Sequence, residues 1–399
     1  MKKHHAPESI EDGIIPGSIM QQQPQSDPKS TNERVLSIDA LRGFDMFWIM
    51  GADTLAKKLL ALVPATTVAG ISTAWAPQLS EQFDHVEWEG FRFYDLIFPL
   101  FLMLVGCSIP FSLGKLQDDR AKAYWRILRR TLLIVFMGLI YNGIQNLNWS
   151  ELRWMGVLQR IGICYGIGAL LALHLGPRGL FASWIAILLG YWAILAWVPV
   201  PGGIAGNLTP EGNLSGYIDR TVLPGKILDK YYGFGDNEGL LSTIPAVATV
   251  LLGIAAGIWL RSNYSKLEKA SGLMALGTLL VVLGTYWGNY FPIIKNLWTS
   301  SFVLVAGGWS LMLLSIFYGI IDGLGFKAWA WLWIIIGANA ITIYLMQRVV
   351  PFNKISEFFL NGIGNIAGDH RSIVILAGAL ACKCILLAVM YNKRMFLRL

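Results

Sequence analysis

Asp39, Arg42, Asp45 and Asp53 lie at the start of, or inside, a single apolar stretch that opens Ser37-Ile38-Asp39-Ala40-Leu41-Arg42-Gly43-Phe44-Asp45. A charge at the centre of a membrane helix costs about 2.5–3.5 kcal/mol on insertion scales, so such residues normally face a polar interior or a functional cavity. Asp39 and Arg42 also fit a plainer role, a helix cap and its i,i+3 partner anchored at the membrane edge. Asp53 is harder to place that way: at 1.5 Å per residue it lies about 21 Å along a helix from Asp39 and needs a partner or water there. The other chemically capable side chain is His85, one of five histidines, in Phe83-Asp84-His85-Val86-Glu87-Trp88-Glu89-Gly90. Imidazole titrates near neutral pH and can act as a general base or an acyl acceptor. A loop histidine among carboxylates also fits an ordinary solvated residue.

These residues have to be held by helices in a bilayer. Of 399 residues only 14% are charged, 55% are hydrophobic, and the mean hydropathy is +0.52. A typical globular chain is roughly 25% charged. Apolar blocks fall at 44–63, 94–113, 127–145, 155–175, 180–198, 242–260, 271–288, 300–321, 330–350 and 372–391. Each is about the 20 residues that a helix needs to cross a hydrocarbon core. The expected fold is all-α, a polytopic transmembrane helix bundle with about ten spans. Residues 1–33, rich in Gln, Ser, Pro and Lys, read as a disordered cytosolic tail, and 34–399 as the membrane domain. The net charge of +7 does not indicate nucleic-acid binding, because Lys and Arg cluster in alternate loops. Arg34, Lys115, Arg120, Lys122, Arg126, Arg129, Arg130, Arg261, Lys266, Lys269, Lys393, Arg394 and Arg398 share one side. By the positive-inside rule that side is the cytoplasm, which places both termini there. Residues 64–90 hold Glu81, Asp84, Glu87 and Glu89 without a Lys or Arg, so this loop and the Gly/Pro/Asn-rich 199–241 loop are expected outside. Gly162 with Gly166, and Gly253 with Gly257, fit close helix packing. Cys107, Cys164, Cys382 and Cys384 lie in apolar stretches and read as small hydrophobes.

Five segments occur in order: RVLSIDALRGFDMFW from Arg34, HVEWEGFRFYDLIFPLF from His85, RWMGVLQRIGICY at 153–165, NEGLLSTIPA at 237–246 and KNLWTSSFVL at 295–304. In this combination the chain resembles the heparan-α-glucosaminide N-acetyltransferase family, in its bacterial branch without the lumenal domain of the animal enzyme. The resemblance implies acetyl transfer from cytosolic acetyl-CoA to the amine of a glucosamine-type sugar, or a glucosamine-terminated oligosaccharide, outside the bacterial inner (cytoplasmic) membrane. It implies His85 as the active-site histidine. It places Asp53 at the family's catalytic asparagine, where a carboxylate can orient His85 but cannot donate as an amide does. Arg42, Arg126, Arg129 and Arg130 are expected to hold the CoA phosphates, and they equally suit topology signals and lipid contacts. Asp39, Trp88, Asp95, Gln159, Arg160, Glu238, Asn296, Trp298 and Asn339, polar or amphipathic groups in or beside the family segments, are candidates to contact the acceptor. They also suit helix-to-helix pairing. No metal is expected, and a homodimer is left open.

The competing class is an amino-sugar transporter or permease. Transporters tend to carry repeats with broken helices at matching positions of two halves. No internal repeat is visible, which favours the enzyme.

Overall fold

The computed structural model describes residues 35–63, 67–68, 71–72, 75–114, 119–228 and 234–396. The tail expected at 1–33, with Arg34, Lys115 and Arg398, lies outside the described residues. The chain is a helical bundle. Helix α1 (Leu36–Phe47) runs through a π turn at Trp48–Ala52 into α2 (Asp53–Leu60). Two dipeptides, β1 (Thr67–Val68) and β2 (Ile71–Ser72), pair antiparallel, followed by α3 (Trp75–Glu81), α4 (Phe93–Leu113) and α5 (Arg120–Tyr141). Then come α6 (Val157–His174), α7 (Pro177–Trp197), the short α8 (Leu214–Val222), α9 (Leu240–Leu260), α10 (Lys266–Gly288) and α11 (Ser300–Tyr318). The last four are α12 (Trp331–Ala338), α13 (Ala340–Val349), α14 (Phe352–Ile366) and α15 (Arg371–Asn392).

All ten apolar blocks fall on helices. Among the described residues seven helices are long and apolar enough to cross a membrane: α4, α6, α7, α9, α10, α11 with its π extension, and α15. The α12–α13 pair, bent by 60° around Asn339, passes the same measure only when its two helices are taken together. The first and third blocks fall short of that measure because of charge. Asp39, Arg42, Asp45, Asp53, Lys57 and Lys58 interrupt α1–α2, and Arg120, Lys122, Arg126, Arg129 and Arg130 fill the first half of α5.

The core is the contact of α4 with α9, where more than three-quarters of each span is buried. Glycines let the backbones approach. A Cβ on Gly253 would overlap the carbonyl of Met103, and one on Gly257 that of Cys107; Gly162 and Gly166 do the same for Val135 and Thr131 of α5. In α1, Gly43 lies against Trp333 and Gly337 of α12, and Gly337 in turn meets the carbonyl of Asp39. Gly51, at φ 108°, breaks the ladder of the first helix. Lys383 of α15 uses the break, donating to the carbonyl of Met50 at 2.6 Å and to Gln347 at 3.1 Å. The amphipathic α14 was not expected; its exposed Phe358, Phe359, Ile363 and Ile366 fall outside the apolar blocks because Asn, Lys and Glu are interleaved with them.

Candidate functional site

The first helical turn of α4 holds Asp95, fully buried. Its Oδ2 accepts from the backbone N–H groups of Arg92 (3.1 Å) and Val86 (3.3 Å), which caps the helix and folds the 84–92 loop back over it. Its Oδ1 lies 2.8 Å from Nδ1 of His85. The imidazole packs on Tyr94, with ring centroids 4.7 Å apart. A carboxylate so placed fixes the Nδ1–H tautomer, leaving Nε2 as the basic nitrogen.

A second loop brings a cation. Gly90 N–H donates to the carbonyl of Ile293 at 2.9 Å, and Glu89 pairs with Ile294 across an antiparallel bridge. This joint puts Lys295 Nζ 2.8 Å from His85 Nδ1, 3.2 Å from Nε2 and 3.3 Å from Asp95 Oδ1. The 294–299 turn is heavily bonded: Trp298 N–H to the carbonyl of Lys295 (2.9 Å), Thr299 N–H to that of Ile294 (3.2 Å), and Ile294 N–H to the Thr299 hydroxyl (3.1 Å). Trp298 sits at φ 53°, a conformation costing a non-glycine residue about 1–3 kcal/mol, and the indole is locked by a bond to Thr249 at 3.1 Å. Burial lowers the pKa of His85 from its ordinary value, with the Lys295 charge adding to this, against Asp95 and Asp84, which raise it. Burial likewise lowers Lys295, opposed by Asp95.

His85 and Lys295 open onto a cavity of about 290 Å³. Its polar end also holds Arg153, Asn237, Glu238, Tyr94 and Tyr344; its shaft is apolar, with Phe98, Phe101, Ile161 and Ile341. Arg153 binds Asp236 at 2.5 and 2.8 Å and also Glu238, tying two loops into the wall. A second cavity of about 120 Å³ is lined by Arg42, Arg130, Asn339 and the first residues of α13. The two share Phe101 and Ile341 as a common wall. Arg42 is held by Asp39 (3.3 Å) and by Ser108 of α4 (2.9 Å). Ser108 lies roughly 20 Å along α4 from Asp95 at 1.5 Å per residue.

The expected residues therefore divide. His85 and Glu238 line the larger cavity, with Asp95 buried against His85, and Arg42, Arg130 and Asn339 line the smaller. The pairing expected between Asp53 and His85 is absent: the π turn places Asp53 at the head of α2, where it accepts from Thr54 at 3.3 Å and does not line either cavity, and Asp95 holds His85 instead. Arg126 and Arg129 are exposed on α5 and line neither cavity, since Arg130 is on the face turned inward. Trp88 donates to the carbonyl of Leu208 at 3.0 Å, tying its loop to the 199–239 segment. Arg160 donates to Gly239 and Ser242 and stacks over Trp298 at 5.1 Å. Gln159 and Asn296 are buried and line neither cavity. Lys295, Arg153, Asn237, Tyr94 and Tyr344 went unselected by sequence reasoning. Lys295 precedes Asn296 directly in a family segment, but nothing in the sequence sets it beside a residue 210 positions away.

The fold and site define a multi-pass helical membrane protein with a histidine–aspartate pair whose histidine lines a cavity between helices. No family model matches the chain. It is similar to heparan-alpha-glucosaminide N-acetyltransferase of Homo sapiens, 28% identical over 328 residues, or 67% of this chain and 49% of that protein. It is 26% identical to the protein of that name in Mus musculus over 381 residues, 79% of this chain and 56% of the relative. Both matches support the heparan-α-glucosaminide N-acetyltransferase family for this chain. The chain spans about half the length of these curated relatives.

Proposed function

We propose that the chain is a membrane-embedded acetyltransferase, moving an acetyl group from cytosolic acetyl-CoA to the amine of a glucosamine-type sugar at the outer face of the bacterial cytoplasmic membrane. The observation that carries this reading is the pair of cavities meeting at Phe101 and Ile341, one basic and one with a His–Asp pair at its polar end. Arg42 and Arg130 would take the CoA phosphates, since guanidinium groups match phosphate oxygens in charge and shape. The thioester then reaches the larger cavity along the apolar shaft, where water is scarce and hydrolysis is disfavoured. A glucosamine ammonium must lose a proton before its nitrogen can attack. His85 Nε2 takes that proton, the amine nitrogen bonds to the thioester carbonyl carbon, the C–S bond breaks, and the second proton shed by the nitrogen goes to the departing thiolate, so that a neutral amide and the CoA thiol result. Glu238 and Asn237 offer acceptors for sugar hydroxyls. Both termini are cytoplasmic in this reading, on the side of the basic loops.

Purified protein given labelled acetyl-CoA and a panel of glucosamine-terminated acceptors should place label in the sugar. His85→Ala should lower turnover about 10²- to 10⁴-fold with CoA binding nearly unchanged. Uptake of an amino sugar into liposomes without covalent transfer would establish a transporter instead. Intact-protein mass after acetyl-CoA exposure without acceptor tells direct transfer from an acetyl-histidine route.

A further inference from the structure

Asp95 is a fully buried carboxylate with two cation candidates, His85 at 2.8 Å and Lys295 at 3.3 Å. One negative charge is balanced by one positive charge. A second cation in the same place would leave the cluster with an excess charge at low dielectric, which is costly. Lysine holds its proton about four units more tightly than imidazole in water, so the competition favours the ammonium even after burial weakens it. The geometry agrees. A ring nitrogen has one in-plane position for a hydrogen bond, and Nδ1 spends it on Asp95. The ammonium, although 2.8 Å from Nδ1, therefore finds its acceptor in the Asp95 carboxylate and lies against the ring as a charge.

We propose that Lys295 is a positioning residue for His85: it serves as the counter-ion of Asp95, so that the imidazole is kept neutral and fit to accept a proton. This deepens the function proposed above and takes from it that His85 is the base. The other charged groups around the histidine do not replace the lysine. Asp84, in the same loop, is occupied by Lys57 at 2.8 Å on an exposed edge. Arg92 donates to the His85 carbonyl at 3.3 Å and sits 3.6 Å from Glu81. Across the cavity, Arg153 is bound to Asp236 and Glu238. Only Lys295, among the described residues, is in ion-pair contact with Asp95 besides the imidazole. The strained turn at Trp298 and the bridge between residues 89 and 294 give the reason for its precise placement.

The test titrates His85 directly, without acetyl transfer. Full-length protein with isotope-labelled histidine is placed in lipid nanodiscs, and the His85 ring signal is identified by its loss in His85→Gln. Lys295→Met should raise the His85 midpoint by about one unit or more, since Asp95 then pairs with the imidazolium. Lys295→Arg should leave the midpoint near wild type. Asp95→Asn should move it the other way, because the lysine charge is left beside the ring; this variant decides the matter where Lys295→Met does not fold. An unchanged midpoint in the folded Lys295→Met or Asp95→Asn protein overturns the proposal. The acid limb of the transfer rate against pH should follow the midpoint in Lys295→Met. Absence of transfer in wild-type protein would sink the acetyltransferase reading while leaving the titration result standing.

Discussion

Asp95→Asn is the substitution that separates orientation of His85 from its mere presence. The carboxylate makes a 2.8 Å contact to Nδ1, and its other oxygen takes two backbone N–H groups, which an amide oxygen can still accept. The α4 cap is therefore largely retained. What goes is the charge that favours the Nδ1–H tautomer. A hydrogen bond to a charged group is worth about 1.5–3 kcal/mol, which at 1.36 kcal/mol per decade is roughly a ten- to hundredfold change in the productive tautomer. The turnover of labelled acetyl-CoA onto a verified acceptor should fall by at least that factor, and toward 10⁴-fold if base catalysis is lost entirely. The affinity for CoA should stay within about twofold, because Arg42 is bonded to Ser108, roughly 20 Å along α4 from Asp95, and Arg130 lines the same smaller cavity as Arg42. A thermal unfolding midpoint close to wild type would certify the fold. Turnover within twofold of wild type in that folded variant would refute the assignment of Asp95 as the group that orients the base.

The two cavities also sort the basic cluster. Arg42→Ala and Arg130→Ala should each weaken CoA binding about tenfold or more in calorimetry, whereas the exposed Arg126→Ala and Arg129→Ala should leave it within about twofold. Gly43→Ala should lower stability by about 1–3 kcal/mol or more, read as a loss of thermal midpoint in detergent, since its Cβ would overlap the Trp333 backbone and force α1 from α12. Burial pushes Asp219, on the short helix α8, up to about 6 from 3.8. Between those values the folded chain holds a proton that the unfolded chain has released, so this group favours the fold below about pH 4 and the benefit is lost as pH rises through 6. The difference in thermal midpoint between wild type and Asp219→Asn should change over that window and be flat outside it.

Hydropathy made the helices legible because a span must be apolar over a length fixed by the bilayer, and that requirement is local in sequence. The apolar pattern is interrupted by six charged residues in α1–α2 and five in α5, of which Arg42 and Arg130 line the smaller cavity. His85 could be singled out by chemistry and motif, but its partner could not be chosen by counting along the chain. Asp53 looked suitable because a straight helix would carry it toward the outer side; the positive φ at Gly51 and the π turn around it redirect the chain just before that residue. Asp95 stood among the residues expected to contact the acceptor, and nothing in the sequence set it against His85. It does cap α4, and the same carboxylate that caps the helix orients the histidine, so both functions are carried by one residue type at one position.

Phe101 and Ile341 show why the two ends of such a site must be joined with care. They contribute to both cavities, so removing their side chains would merge a basic pocket with one that holds the histidine. In the proposed reaction, a continuous aqueous path there would let water reach the thioester and would leak protons across the bilayer. An apolar partition avoids both: it admits a slender acyl-bearing arm, which is itself partly apolar, and excludes hydrated ions by their desolvation cost. The break at Asn339 supports the same division. It ends α12 and begins α13, whose first residues line the smaller cavity, and a helix start favours negative charge. In the proposed reaction, phosphate is drawn to the end with Arg42 and Arg130, whereas the neutral thioester is the part that passes Phe101 toward His85.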